Sequence, residues 1–207
     1  MKRARRFRRA QRALVLLLGV LGVSPLALAE PPAPAPPVQL KAFTVAGRDM
    51  PRLDATIEIA APVEEVWRLV SDCDRYGEFM QVERSRVVSR KGNSMRCELE
   101  VDLPFPFSSL ESTSDAVIAV NEAAGTYSRS WKLVKGDFEY NEGSWQLTRL
   151  GPNRTRVRYS ILAEPDVMLP LGVLQSKQEA RTRETLLALR ERAQAIAARK
   201  ARASPVR

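Results

Sequence analysis

Histidine is absent from the 207 residues, so the side chain most often used as a general base and as a metal ligand is missing. Ser–His and Cys–His nucleophile pairs are excluded for the same reason. The two cysteines, Cys73 and Cys97, lack the CxxC spacing of a zinc site. Neither a GxGxxG nor a P-loop pattern offers a cradle for nucleotide phosphates. These absences leave few means for catalysis, and we expect no catalytic residue, no metal and no cofactor.

The amino-terminal region also lacks a hydrophobic run as long as a typical transmembrane helix. The apolar run from Ala13 to Val23 is short and is followed by Ser24-Pro25. Basic residues precede it and Ala27-Leu28-Ala29 follows it, which is the pattern of a secretory signal with a small-residue cleavage site. We therefore expect residues 1–29 to be a signal peptide cleaved after Ala29, with an uncleaved anchor as the alternative, and the protein to be secreted or periplasmic. The basic residues are Lys2, Arg3, Arg5, Arg6, Arg8, Arg9 and Arg12.

The net charge of +9 gives little support to a nucleic-acid partner. Seven of the positive charges lie in the predicted signal, so the mature chain carries about +2. The remaining basic excess lies at the carboxyl-terminal end, where it could contact an anionic membrane surface or form a solvated terminus. We expect no nucleic-acid binding. The basic residues of this end are Arg190, Arg192, Arg199, Lys200, Arg202 and Arg207.

Composition divides the chain into four segments. After the signal, residues 30–52 form a Pro-rich tether and an amino-terminal arm, in which 38–45 could be an added strand. Residues 53–199 form one domain, and 200–207 a basic tail. In an oxidising compartment Cys73 and Cys97 could pair or remain two buried thiols, and the sequence leaves both open.

The periodicity of residues 54–199 predicts an α+β domain. Ala55, Ile57 and Ile59 alternate with polar residues as in a half-buried strand, and Pro62 suits the first turn of a helix. A second short helix follows, and then about six antiparallel strands, of which 94–103 is the clearest. From Leu171 the period becomes helical to about residue 199. We predict a helix-grip architecture, in which a curved antiparallel sheet of about seven strands wraps round the long final helix.

Three motifs in order carry a resemblance to a known superfamily. They are Ala61-Pro62-x4-Val66-Trp67, Ser71-Asp72-x-Asp74-Arg75-Tyr76-x2-Phe79-Met80 and Gly136-x-Phe138-x4-Gly143-x-Trp145. The chain resembles the START-like (SRPBCC) superfamily from about residue 53 to 196, in the branch of coenzyme Q-binding and polyketide cyclase/dehydrase and lipid transport proteins. The resemblance implies a cavity for a hydrophobic ligand but no common chemistry. The chain departs from the branch at Gly77-Glu78 and Gln81, where prolines are usual.

The apolar side chains of the predicted strands and final helix are the candidate lining of such a cavity, unless they pack a solid core. Pro104-Phe105-Pro106-Phe107 would turn the chain and leave two phenylalanines at the rim. The candidate lining residues are Leu99, Val101, Leu103, Phe105, Phe107, Tyr127, Arg129, Trp131, Trp145, Tyr159, Ile161, Leu174, Gln178 and Thr182.

Two polar features refine this prediction. Arg129 shares a strand face with Tyr127 and Trp131, so it points inward if they do, where it would bind an anionic or carbonyl-bearing head group. The alternatives are an internal ion pair or an edge position facing water. On the final helix, Gln178 and Thr182 continue the inward apolar stripe. They could meet a ligand head group or trapped water, or overhang the sheet.

The sequence therefore predicts a protein that sequesters or transports a hydrophobic small molecule, a lipid or an isoprenoid quinone. The alternative is an aromatase/cyclase-type enzyme for a polyketide-like substrate, in which Arg129 with Tyr127 or Tyr159 polarises a carbonyl. A protein-interaction module, as in superfamily members that act on ribosomes, is disfavoured by the predicted signal.

Overall fold

The computed structural model describes residues 37–102 and 109–203. The predicted signal, most of the Pro-rich tether, and Leu103, Phe105 and Phe107 lie outside the described residues. Within the described part, no helix combines the length and the apolar composition needed to cross a membrane. The strands are β1 Gln39–Phe43, β2 Arg52–Ile59, β3 Arg84–Lys91, β4 Ser94–Val101, β5 Leu110–Asn121, β6 Thr126–Gly136, β7 Phe138–Gly151 and β8 Arg154–Pro165. The helices are α1 Val63–Val70, a 3₁₀ helix Cys73–Glu78 and α2 Leu171–Ala203.

One antiparallel sheet contains all eight strands, in the order β1-β2-β8-β7-β6-β5-β4-β3. This confirms the predicted α+β helix-grip fold. The count is eight and not about seven, because the arm at 38–45 contributes β1, which pairs with the free edge of β2. The final helix also continues to Ala203, past the predicted end near residue 199.

The apolar residues of α2 seal one half of the concave side of the sheet. Leu186, Leu189 and Ala193 are fully buried and belong to one core cluster with Leu147 of β7 and Val157 of β8, which are also buried. Burying such side chains stabilises the fold by about 1.5–3 kcal/mol each. This half of the domain is a solid core, as the alternating pattern alone would predict.

Ion pairs also hold α2 to the 3₁₀ helix. Glu78 accepts hydrogen bonds from Arg75 Nε at 2.6 Å and from Arg192 Nη2 at 2.6 Å. The hydrogen bond from Arg75, and then that from Arg192, lower the pKa of Glu78 despite partial burial. A basic residue of the final helix is thus used within the fold.

Acidic side chains of the strands lie on the solvent-exposed face of the sheet, as their alternation predicts. Arg96 donates to both carboxylate oxygens of Asp115, and Arg86 pairs with Glu98 on the neighbouring strand. Exposed pairs of this kind contribute little to stability. They are cross-strand contacts on the surface of the sheet.

The two cysteines form a disulfide, so pairing is the alternative that the structure adopts. Cys73 lies in the 3₁₀ helix and Cys97 in β4, and both are fully buried. The bond therefore ties the segment that follows α1 to the concave side of the sheet.

Candidate ligand-binding site

The centre of the concave face is a row of side chains across three neighbouring strands. In the register of the sheet, Arg129 of β6 lies opposite Trp145 of β7, which lies opposite Tyr159 of β8. The Trp145 and Tyr159 rings are 4.1 Å apart between centroids, and Trp131 stacks on Tyr159 at 6.0 Å. Period-2 alternation along each strand brings these residues to one face.

Arg129 is the charged residue in this row and is 2% exposed. Its Nη1 donates to the Tyr76 hydroxyl at 2.5 Å and its Nη2 to Cys97 Sγ at 3.3 Å. Its Nε is buried with no acceptor among the described residues. The guanidinium also lies 5.2 Å from the ring centre of Tyr76 and 5.6 Å from that of Trp131. The inward orientation is therefore the one the structure adopts, and neither alternative is seen within residues 37–102 and 109–203.

No carboxylate of the described residues neutralises this guanidinium. The neighbouring phenols do not replace one, because burial raises the pKa of both Tyr76 and Tyr159 and keeps them protonated. The sulfur of Cys97 belongs to a disulfide and is neutral. A buried cation without a counter-ion is costly, and the natural compensation is an acidic or strongly polar group of a ligand.

A glycine sets the position of the Trp131 indole. Gly143 lies opposite Trp131 in the sheet, and a Cβ on it would lie less than 3.0 Å from a carbon of the Trp131 indole and from the Ser160 carbonyl oxygen. The Trp131 Nε1–H donates to Asn141 Oδ1 at 3.1 Å. Gly143 and Asn141, both on β7, therefore fix the position of the indole.

The first half of α2 presents polar groups to the interior, unlike its second half. Thr182 and Thr185 are buried, and both amide atoms of Gln178 are buried with no partner among the described residues. A dry, solid core would not contain such a group. The predicted polar stretch of the helix is therefore observed, and it offers hydrogen bonds to a ligand or to water.

Arg181 adds a second cation beside this stretch. Its Nη2 lies 3.4 Å from the carbonyl oxygens of Gln81 and Asp102, and burial lowers its pKa. Gln81 Nε2 in turn donates to Glu184 Oε2 at 3.1 Å. Asp102, which follows β4, thus lies next to α2.

The other predicted lining residues fall into three groups. Ile161 is buried, and Leu99, Val101 and Leu174 are half-buried. Tyr127 is buried at the other end of β6, where its hydroxyl accepts from Arg149 at 3.1 Å and its ring packs on Trp67. Leu103, Phe105 and Phe107 lie outside the described residues.

Two open clefts of about 300 and 270 Å³ occur in the described part of the chain. The first is lined by β5, β6 and β7 and the second by β1, β2 and β8. Of the predicted lining residues, these two clefts include Tyr127 alone. The unpartnered polar groups therefore locate the candidate site better than these surface depressions do.

Sequence reasoning missed the residues that define the environment of Arg129. In the sequence, Tyr76 is one residue of the second motif, and Cys97 is one of two cysteines that could pair or remain buried thiols. Arg181 does not stand out among the basic residues of the final helix. Tyr76 and Gly143 carried a signal, because they belong to the second and third motifs.

Comparisons with known proteins agree with this geometry. The family model for polyketide cyclase / dehydrase and lipid transport proteins matches residues 59–190. The chain belongs to this family. No curated protein matches it by sequence.

Solved structures show the same START-like fold at low sequence identity. A STAR-related lipid transfer protein from Xanthomonas axonopodis is 17% identical with a TM-score of 0.68, over 78% of this chain and 96% of that one. A START superfamily protein from Mycobacterium smegmatis is 19% identical with a TM-score of 0.60, over 70% and 98%. The Zhui aromatase/cyclase of a Streptomyces species is 18% identical with a TM-score of 0.57, over 75% and 98%. At these identities the likeness shows the fold alone.

Proposed function

We propose that this START-like protein sequesters or carries an apolar small molecule whose acidic or carbonyl head group binds Arg129. The observation that carries the proposal is the buried guanidinium with no carboxylate partner among the described residues. A ligand oxygen would complete its hydrogen bonds and, if charged, its neutralisation.

The surroundings of Arg129 suit a ligand with a long apolar tail. Leu99, Val101 and Leu174 are half-buried, so they have apolar surface that a tail could cover. Each buried methylene contributes about 0.8 kcal/mol, so a long chain supplies affinity without any catalytic group. Lipids with an acidic head satisfy both requirements, and isoprenoid quinones satisfy them through a carbonyl oxygen.

The proposal is tested by native mass spectrometry of the full chain, followed by solvent extraction of any bound molecule. Binding of three probes with one tail then resolves the head group: oleate, methyl oleate and oleyl alcohol. We expect oleate to bind most tightly and Arg129→Leu to abolish that preference, while the exposed Arg96→Leu leaves it unchanged. Equal binding of all three probes, or an unchanged preference in Arg129→Leu, would refute the role of Arg129.

A second candidate function, an aromatase/cyclase-type reaction, is favoured by the position of Tyr159. Burial keeps its phenol protonated, and it stacks on Trp131, which in turn contacts Arg129. A neutral phenol and a guanidinium are a pair that could polarise a substrate carbonyl. Tyr127 is a weaker candidate because its hydroxyl is bonded by Arg149. Turnover of a polyketide-like substrate that disappears in Arg129→Ala, with folding intact, would favour this function over carriage.

We also propose that the protein works outside the cytoplasm. The basic, apolar and small-residue pattern of residues 1–29 supports export, and a buried disulfide suits an oxidising compartment. Cell fractionation with sequencing of the mature amino terminus tests this. A protein retained in the cytoplasm with residues 1–29 attached would contradict it.

Exchange with membranes is proposed at the amino-terminal end of α2. Met168 is fully exposed, and Leu171 and Val173 are each 42% exposed, next to the polar stretch of the helix. At the opposite end, Lys200 bonds Glu65 and is partly used within the fold. Sedimentation with anionic vesicles tests this proposal, and we expect Met168→Ser to weaken vesicle binding more than Arg199→Ser.

A further inference from the structure

The disulfide is itself part of the environment of Arg129. Cys97 Sγ accepts a hydrogen bond from Arg129 Nη2 at 3.3 Å, and Arg129 Nη1 bonds Tyr76, three residues after Cys73. Both sulfur atoms belong to fully buried residues. In the oxidised protein this sulfur is a weak and neutral acceptor, so the guanidinium retains its uncompensated charge.

Reduction would change the chemistry of that acceptor. A dithiol supplies two electrons and two protons: the Cys73–Cys97 bond breaks, two thiols form, and the reductant becomes a cyclic disulfide. A thiol next to an arginine is favoured to lose its proton, which passes to solvent. The Cys97 thiolate would then lie beside the guanidinium as an internal counter-ion.

We propose that the redox state of Cys97 sets the charge preference of the ligand site: the disulfide form binds acidic ligands, and the thiolate form rejects them. This inference rests on the proposed function and adds its regulation. In the oxidised protein the ligand supplies the negative charge that Arg129 lacks. In the reduced protein the thiolate supplies it, and an acidic head group meets a neutral pair or a repelling anion. A neutral ligand with the same tail keeps its affinity in both states.

Two single variants separate this effect from simple loss of the cross-link. Cys73→Ala and Cys97→Ala both remove the disulfide, but only Cys73→Ala leaves a thiol beside Arg129. Any loosening of the 3₁₀ helix against β4 is shared by the two. The difference between them therefore measures the charge at position 97.

The experiment measures oleate and oleyl alcohol binding to the full chain in wild type and both variants at neutral pH. We expect Cys73→Ala to bind oleate about 10- to 100-fold more weakly than Cys97→Ala, since one charge-assisted contact is at stake. Oleyl alcohol should bind the two variants equally. In parallel, the ultraviolet absorbance of the thiolate should be present at neutral pH in Cys73→Ala and absent in Cys97→Ala.

The outcomes distinguish the two proposals. Failure of the oxidised wild type to prefer oleate to oleyl alcohol overturns the proposed function. A wild type that prefers oleate, with equal oleate affinity in the two variants or no thiolate in Cys73→Ala, overturns the redox inference alone. If either variant does not fold, wild type before and after dithiothreitol replaces the pair: oleate affinity must fall on reduction and return on reoxidation, and no change refutes the inference.

Discussion

Replacing Arg129 with leucine should make the ligand-free protein more stable, although most changes to buried residues destabilise. The guanidinium is 2% exposed and has no counter-ion among the described residues. Of its five N–H donors, two have a partner there, and one of those partners is a sulfur. A residue kept for ligand binding should cost stability in the empty protein.

The change in the free energy of unfolding is the difference between two contributions. Leucine removes the desolvation penalty of the buried charge, but it also removes the hydrogen bonds and ring contacts of the guanidinium. Removing a buried ion that has no counter-ion recovers its desolvation penalty, which is several kcal/mol and is taken here as about 3–4 kcal/mol. Against this, the hydrogen bond to Tyr76 contributes about 1 kcal/mol, and the interaction with the aromatic rings adds a similar amount. Tyr76 itself is not left unpaired, because its hydroxyl still donates to the Val70 carbonyl at 3.2 Å. The expected net gain is about 1–2 kcal/mol, or roughly 2–8 °C in melting temperature.

The assay is thermal and urea unfolding of delipidated protein, with and without saturating oleate. Arg129→Leu should melt higher than wild type when empty and should gain less from oleate. Arg96→Leu, which loses an exposed ion pair on the solvent-exposed face of the sheet, is the matched control and should change neither quantity much. A fall in the stability of empty Arg129→Leu by several kcal/mol would show that the charge is already compensated, and would refute the prediction.

Three further predictions concern the scaffold. Gly143→Ala should lower the free energy of unfolding by about 1–3 kcal/mol, measured with urea, because the new methyl group displaces the Trp131 indole. The same displacement should shift the fluorescence of Trp131 to the red. Unchanged stability and fluorescence would contradict this. The hydrogen bond from Arg75 lowers the pKa of Glu78 below its ordinary value in the folded state, so its contribution to stability is present above the pKa of the unfolded chain and is lost as the pH falls through the folded value. Glu78→Gln should therefore weaken the loss of stability between neutral and acidic pH, and a parallel pH profile would refute it. Leu189→Ala should lower the free energy of unfolding by about 2–5 kcal/mol, because Leu189 is fully buried. Leu187 is 37% exposed, so Leu187→Ala should lower it by less than about 1 kcal/mol. Equal losses would show that α2 packs by another face.

The fold could be predicted from the sequence because it depends on patterns that recur along each element. The alternation at Met95, Cys97 and Leu99 fixes the buried face of β4 whatever its neighbours are. The change of period at Leu171 marks the closing helix in the same way. The sequence could not decide whether β1 forms, since its five residues are mostly exposed and gain order from pairing with β2.

The candidate site was predicted only in part, because its chemistry depends on contacts between residues that are far apart in the sequence. The strand face of Arg129 follows from local alternation, and so does its inward orientation. Whether it has a counter-ion depends on which side chains surround the guanidinium. Two of them, Tyr76 and Cys97, lie 53 and 32 residues away along the chain. A buried arginine with an acidic partner and one without have the same local pattern, so the sequence of β6 alone cannot distinguish a structural ion pair from a ligand-binding residue.

On the proposed function, the absence of a carboxylate beside Arg129 among the described residues would also explain why few polar residues are needed for binding. In a chain without histidine, one uncompensated guanidinium in an apolar interior is a strong source of selectivity, because the low dielectric that makes it costly when empty strengthens its bond to an acidic ligand. One atom pair, Arg129 Nη2 and Cys97 Sγ, therefore links stability, binding and redox state. Whatever supplies a negative charge at that point, a ligand or a thiolate, should stabilise the protein and exclude the other.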